Sequence, residues 1–247
     1  MAIKFNPFKM NTAPGPGVSK EEAEKRGFFK FFEIFFHNFW RLISLSVIFL
    51  AFCIPVVTIG AALSANSYVL KNIVAGDYVQ VFPDFLKGMK KNWLWGTVIF
   101  ILSLAVTAVM YIGLPTYYVQ HNLFGYIGIA VMGAGAVVCF FMLYYIYTLQ
   151  SCFHIKFKSL IKNSAIFATV CLLRNLFITL ILAVIIYMFY VLMRTAIIFG
   201  SLFILLAVMF SGYFTSYMVY IPIKKYMIDP QTEAKDNGKD KIFEDTI

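Results

Sequence analysis

Residues 92–155 contain no Asp, Glu, Lys or Arg. Drawn as one helix, this run of 64 residues would be about 96 Å long, three times the roughly 30 Å hydrocarbon core of a bilayer. Lipid offers no hydrogen bonds to a backbone, so such a run must satisfy its own N–H and C=O groups as helix, and it must cross twice. The reversal is expected at residues 113–125, GLPTYYVQHNLFG, which supply a proline, polar groups and two glycines. Three further charge-free blocks lie at 42–70, 175–193 and 195–223. The rest of the chain agrees: 61% of its 247 residues are hydrophobic and 13% charged, where soluble domains carry about 25% charged residues. The alternating ten-residue strands of a membrane barrel are absent. The expected fold is therefore all-α, a polytopic membrane helix bundle of about six membrane segments.

The block at 42–70 is long for one span and short for two, and it contains Pro55 and Gly60. Charge decides its path. If it crosses once, the seven basic residues up to Arg41 lie opposite the thirteen in 71–91, 156–174 and 224–241. If it enters and returns, twenty of the twenty-one share one side and only Arg194 lies across. The positive-inside rule favours the return, with both termini cytoplasmic. Charge leaves open whether the second arm crosses fully or is re-entrant. In that arm Gly60 and Ser64, and Ala61 and Ala65, form small pairs four apart, which let membrane helices approach closely. Asn66 and Ser67 would prefer protein to lipid. Ser64, Asn66 and Ser67 are thus expected inside the bundle.

The expected spans are 39–57, 60–75, 93–114, 125–150, 175–193 and 196–221, within a membrane domain at 28–226. Polar tails flank it at 1–27 and 227–247. The uncleaved first helix follows FFKFFEIFFHN at 28–38, which either lies in the interface or packs against the protein. Cytoplasmic amphipathic segments are expected at 77–92 and 156–174. A basic residue, Asn and two apolar residues recur at 37–40, 91–94 and 174–177. Each opens a span, and Asn there is expected to act as an N-cap. The larger repeat implies three hairpins, at about 39–75, 93–150 and 175–221.

The sequence is poor in chemistry. No charge falls at the centre of a span, which argues against an ion-coupled pump. Cys53, Cys139, Cys152 and Cys171 show no metal or disulfide spacing, and no phosphate loop, metalloprotease or nucleophile-elbow motif occurs. No cofactor, metal or enzymatic activity is expected. Gly133–Ala136, GAGA, reads as a helix-packing surface. Gln150, Ser151 and His154 form a polar cluster expected at the interface. The net charge of +9 is spread beside apolar segments, which suits a lipid surface and not nucleic acid. Phe82, Pro83, Asp84, Phe85, Lys87, Lys91 and Asn92 make the richest membrane-surface segment and a candidate docking site. Pro83 fits the first helical position and Asp84 the helix dipole.

The stretch CIPVVTIGAALSANSYVLKNIVAGD followed by FPDFLKGMKKNW resembles the YesL-like family of small bacterial membrane proteins. The resemblance rests on Pro55, Val56, Val57, Thr58, Ile59 and Gly60, then on Tyr68, Gly76-Asp77 and Asp84-Phe85…Lys91-Asn92, over about residues 38–95. It implies a multi-pass protein of the bacterial plasma membrane whose function is uncharacterised. The family's genes often lie beside carbohydrate importers of the ATP-binding-cassette type. By that implication the leading expectation is a non-enzymatic accessory subunit that meets an importer permease or ATPase. The alternative is an autonomous transporter or channel for a small neutral solute such as a sugar.

Overall fold

The computed structural model describes residues 27–153, 155–195 and 197–230. The tails expected before and after these, and His154, lie outside the described residues. Every regular element described is helical: α1 Gly27–His37, α2 Phe39–Cys53, α3 Ile59–Ala75, α4 Val81–Val119, α5 Leu123–Cys152, α6 Phe157–Val170, α7 Leu172–Thr195 and α8 Ile197–Ile223, with a short 3-10 turn at Val56–Thr58 and a π-helical turn at Lys224–Ile228. Four helical stretches are long and apolar enough to cross a membrane: α4, α5, α7 and Phe203–Ile228. A fifth arises if α1 and α2, bent by 70°, are taken together. The sixth expected segment, α3, has 17 residues, about 25 Å of helix, and falls short of a full hydrocarbon core.

The proline turn is tighter than expected. The helix foreseen to reach residue 57 stops at Cys53, because Pro55 is extended (φ −76°, ψ 117°) and has no N–H to continue the ladder. Thr58 closes the reversal. Its hydroxyl donates to the carbonyls of Phe52 at 2.6 Å and Pro55 at 2.7 Å, occupying acceptors that the helix end leaves open. Ile54, Val56 and Val57 form an exposed apolar tip.

The stretch at 77–92 is not a separate amphipathic helix. Residues 81–92 are the first turns of α4, which runs 39 residues without a break. Pro83 sits in its third position, not its first, and Asp84 accepts the Gln80 N–H at 2.9 Å. The helix also passes through Pro115, so the α4–α5 join shrinks to Gln120–Asn122, where Asn122 caps α5 by accepting the Gly125 N–H at 2.7 Å.

The repeated asparagines do not act as expected N-caps. Asn38 stands at the N-cap position of α2 but makes no side-chain capping bond. It donates instead to the Ile34 carbonyl of α1 at 3.1 Å. Asn175 lies inside α7, fully buried, and donates to the Ala168 carbonyl of α6 at 3.0 Å while accepting the Tyr145 hydroxyl at 2.7 Å. Both therefore clip an amphipathic helix to the span that follows it. Asn92 faces no corner, because α4 is continuous, and its side-chain N–H group is buried without a partner.

Of the two alternatives for α1, packing against the protein is observed. Phe31 and Phe35 pack on Phe210 and Tyr213 of α8, and the Tyr213 hydroxyl donates to the Phe31 carbonyl at 2.8 Å. Phe29, Phe32 and Phe36 point outward.

The three hairpins pack around α3, which is buried on nearly all sides. Gly60, Ala61, Ala62, Ser64 and Ala65 are all buried. On α4 the matching residues are Gly88, Asn92 and Gly96, also buried and also four apart. A Cβ on Gly60 would lie 2.5 Å from the Gly96 carbonyl oxygen, and a Cβ on Gly96 would collide with the Ser64 hydroxyl. One on Gly88 would lie 2.9 Å from Tyr68 Cβ. The two helices run antiparallel with backbones touching. The GAGA stretch corrects the other way: a Cβ on Gly133 or Gly135 would meet no atom within 4 Å, so neither glycine is a packing contact here. Gly96→Val is accordingly expected to lower stability by about 1–3 kcal/mol or more through overpacking, read as a lower detergent unfolding midpoint. Gly133→Ala should leave that midpoint unchanged, and equal effects of the two would refute the packing assigned to Gly96.

Candidate functional site

One face of α3 does not touch α4. Leu63, Asn66, Ser67 and Leu70 follow the i, i+3, i+4, i+7 spacing of a single helical stripe, and this stripe borders a chamber of about 480 Å³. Five helices complete the wall. Phe49 comes from α2, Phe100 from α4, Thr148 from α5, Leu182 from α7, and Thr215 and Ser216 from α8. The lining holds no Asp, Glu, Lys or Arg.

Some polar groups in the wall are committed elsewhere. Ser103 donates to the Phe100 carbonyl at 2.7 Å, Ser211 to the Val208 carbonyl at 3.2 Å, and the Tyr144 hydroxyl pairs with Thr179 at 3.1 Å. Others are not. Asn66, Ser67, Thr148, Thr215 and Ser216 make no hydrogen bond to a described residue. The Ser216 hydroxyl is buried with no partner at all. A polar group without a partner in an apolar interior costs about 1–3 kcal/mol by mutational measures. That cost falls on Ser216; Thr148 is also buried, and Asn66, Ser67 and Thr215 are half-buried. Gathered around one space inside a membrane bundle, the five suit a chamber that hydrates or holds something polar. A charged occupant would find no counter-charge in the wall, so the lining selects for a neutral one.

Next to the chamber, a polar clamp fixes the helices that form it. The Ser64 hydroxyl donates to Gln150 Oε1 at 3.4 Å, and Gln150 Nε2 donates to the Asn92 carbonyl at 3.3 Å. Ser64, Asn92 and Gln150 are all buried. Gln150 is thus a buried tie between α3, α4 and α5, close to the end of α5. Ser151 turns back to the Tyr147 carbonyl at 2.9 Å.

The sequence candidates divide by position. Pro55 to Gly60 build the turn and the start of α3, with Thr58 as its closing bond. Ser64 belongs to the clamp, while Asn66 and Ser67 face the chamber. The docking candidates split across α4: Phe85 is fully buried against Phe52, with ring centroids 5.3 Å apart, and Asn92 is buried. Phe82, Pro83 and Lys87 are exposed, and Lys91 lies 5.8 Å from the Tyr68 ring centre. Phe82 and Phe85 therefore do not form one exposed face. Thr148, Thr215 and Ser216 are the wall residues that sequence reasoning did not single out. The cluster Ser211–Ser216, SGYFTS, inside a charge-free block was the available signal for α8.

Comparison with known proteins agrees on where the chain is distinctive. A family model described as "Protein of unknown function, DUF624" matches residues 42–114. No curated protein and no solved structure matches the chain. The matched segment covers most of α2, the turn, α3 and most of α4; it includes Ser64 and Asn92 of the clamp but not Gln150. The match does not confirm the YesL-like name.

The Asn175 clip anchors α5 and α7 beside this wall. Asn175→Ala strands the Tyr145 hydroxyl and the Ala168 carbonyl, at about 1–3 kcal/mol for each stranded buried group. Adding Tyr145→Phe should recover part of that loss. Denaturation of the two single variants and the double variant measures it, and strictly additive losses would contradict the bond as assigned.

Proposed function

We propose that this protein is a membrane-embedded binder of a small, neutral, hydroxyl-rich solute such as a sugar or polyol, and that it handles this solute without chemical conversion. The observation carrying this reading is the set of five uncommitted hydroxyl and amide side chains around an uncharged chamber of about 480 Å³. That volume falls within the roughly 300–1,000 Å³ of small-molecule sites. Phe49, Phe100 and the tyrosines Tyr144 and Tyr147 add apolar ring faces, which suit the C–H faces of a sugar while the hydroxyl and amide groups meet its hydroxyls. The distribution of basic residues supports an orientation with both termini cytoplasmic, and the resemblance to the YesL-like family implies a bacterial plasma membrane.

Purified protein titrated with a panel of neutral sugars and polyols tests binding. A solute at 100 times its Kd should stabilise the protein by about 2.7 kcal/mol, seen as a raised unfolding midpoint. Asn66→Leu should abolish the shift by removing a polar contact and filling space. Ser216→Ala should weaken the shift while leaving the empty protein as stable as before or more so, since it deletes an unpartnered hydroxyl. Proteoliposome uptake then separates a transporter from a binder. If no solute in the panel shifts the midpoint, the reading fails for that class.

The accessory-subunit reading is favoured by one separate feature. The first turns of α4 expose Phe82, Trp93 and Leu94 together with Lys87 and Lys90, an amphipathic surface fit for another membrane protein. Copurification in mild detergent should bring down an importer permease or ATPase, and its absence would overturn this reading while leaving solute binding intact.

A further inference from the structure

A second polar space lies where α1 bends into α2. It is a crevice of about 570 Å³ bordered by Lys30, Glu33, His37, Arg41, Asp77 and Tyr78. Its shape follows from three stripes on α1. Phe31 and Phe35 pack inward on α8, whereas Phe29, Phe32 and Phe36 are exposed. The third stripe, Lys30, Glu33 and His37, repeats at i, i+3 and i+7 and faces the crevice. The opposite wall is the end of α3. Its chain turns there at Gly76, whose φ of 88° suits glycine and ends the helix. The Gly76 and Asp77 N–H groups return to the Ile73 and Asn72 carbonyls at 3.2 and 3.0 Å.

Arg41 is the best-positioned group in the crevice. It donates to Asn38 Oδ1 at 2.9 Å, and its guanidinium carbon lies 5.6 Å from the Tyr78 ring centre. Both contacts fix the fork without neutralising it. Among the described residues no carboxylate pairs with Arg41 or Lys30, and no cation pairs with Glu33 or Asp77. Two cations and two carboxylates thus share one crevice with all four uncommitted. An arginine held in place by neutral partners keeps its remaining N–H donors for an outside oxyanion, and phosphate fits that fork bidentately. Uncommitted carboxylates in the same space call for an outside cation. The balance of charge argues against a purely anionic occupant. The exposed Phe29, Phe36 and Trp40 beside the crevice are rings suited to the acyl–headgroup boundary.

We propose that this crevice binds the headgroup of a zwitterionic phospholipid, with Arg41 and Lys30 on the phosphate and Glu33 and Asp77 on the ammonium group. The site is independent of the central chamber. The bent α1 then acts as a collar that seats a lipid against α2 and the end of α3.

Native mass spectrometry of the full chain, offered equal amounts of phosphatidylethanolamine and phosphatidylglycerol, tests it. The wild type should retain the zwitterionic lipid preferentially. Arg41→Gln should reduce that retention about tenfold, equivalent to about 1.4 kcal/mol. Arg41→Lys keeps the charge but not the fork and should fall between. Asp77→Asn, at an exposed position, should move the preference toward phosphatidylglycerol. Equal retention of the two lipids by the wild type, or an unchanged preference in both Arg41→Lys and Asp77→Asn, overturns the proposal. Displacement of the lipid by millimolar inorganic phosphate also overturns it, by showing a site for free phosphate.

Discussion

Everything in this bundle is arranged around the direct contact of two helix backbones. Between helices in lipid there is no water to expel, so van der Waals fit and polar ties must supply the attraction. Gly60 of α3 meets Gly96 of α4 at a separation that leaves no room for a Cβ on either, and the Ser64 hydroxyl lies against Gly96. Gln150 then joins both helices to α5 through two long hydrogen bonds. With α3 held this closely on one side, its more polar face is presented to the interior, where Asn66 and Ser67 border the chamber and Gly212 of α8 lets that helix come close to Asn66 and Leu70.

The polar residues of the bundle divide by how fully they are satisfied. Asn38 and Asn175 spend their amides on corners. Ser64 and Gln150 spend theirs on the clamp. Thr58 spends its hydroxyl on the turn. Two groups of uncommitted side chains stand out beside the lone Asn92 amide: neutral ones around the chamber, and charged ones in the crevice by α1. A buried polar group in a membrane protein is costly unless paired. The segregation of unpaired groups by charge type therefore separates a site suited to neutral matter from one suited to ions.

The class, the helix content and the placing of α3 inside the bundle were legible because they follow from local pattern: charge-free length, small residues four apart, polar residues in an apolar arm. The Pro55–Gly60 reversal was legible from the charges on either side. Three features were not. The continuity of α4 through residues 81–92 escaped because the change from charged to apolar composition looks like a boundary, yet nothing in the backbone interrupts the helix there. The asparagines escaped because their partners, Ala168 and Tyr145 for Asn175, are set by tertiary corners. The chamber's far wall escaped because Thr148, Thr215 and Ser216 come from helices whose mutual rotation no single-helix pattern fixes. The GAGA stretch failed for the same reason: small residues permit a close approach but do not say which face a neighbour takes.

Helix α4 runs 39 residues as one continuous helix, with Pro115 near its far end, about 58 Å of rod, nearly twice the thickness of a hydrocarbon core. It carries the exposed Phe82 and Lys87 at one end, grips α3 through Gly88, Asn92 and Gly96, borders the chamber at Phe100 and Ser103, and ends beside the short turn into α5. A rod has no joint at which a twist can be absorbed. Any push on its projecting first turns is therefore felt at the chamber wall as a rotation of the same element, so the surface end and the interior of this protein are geared together.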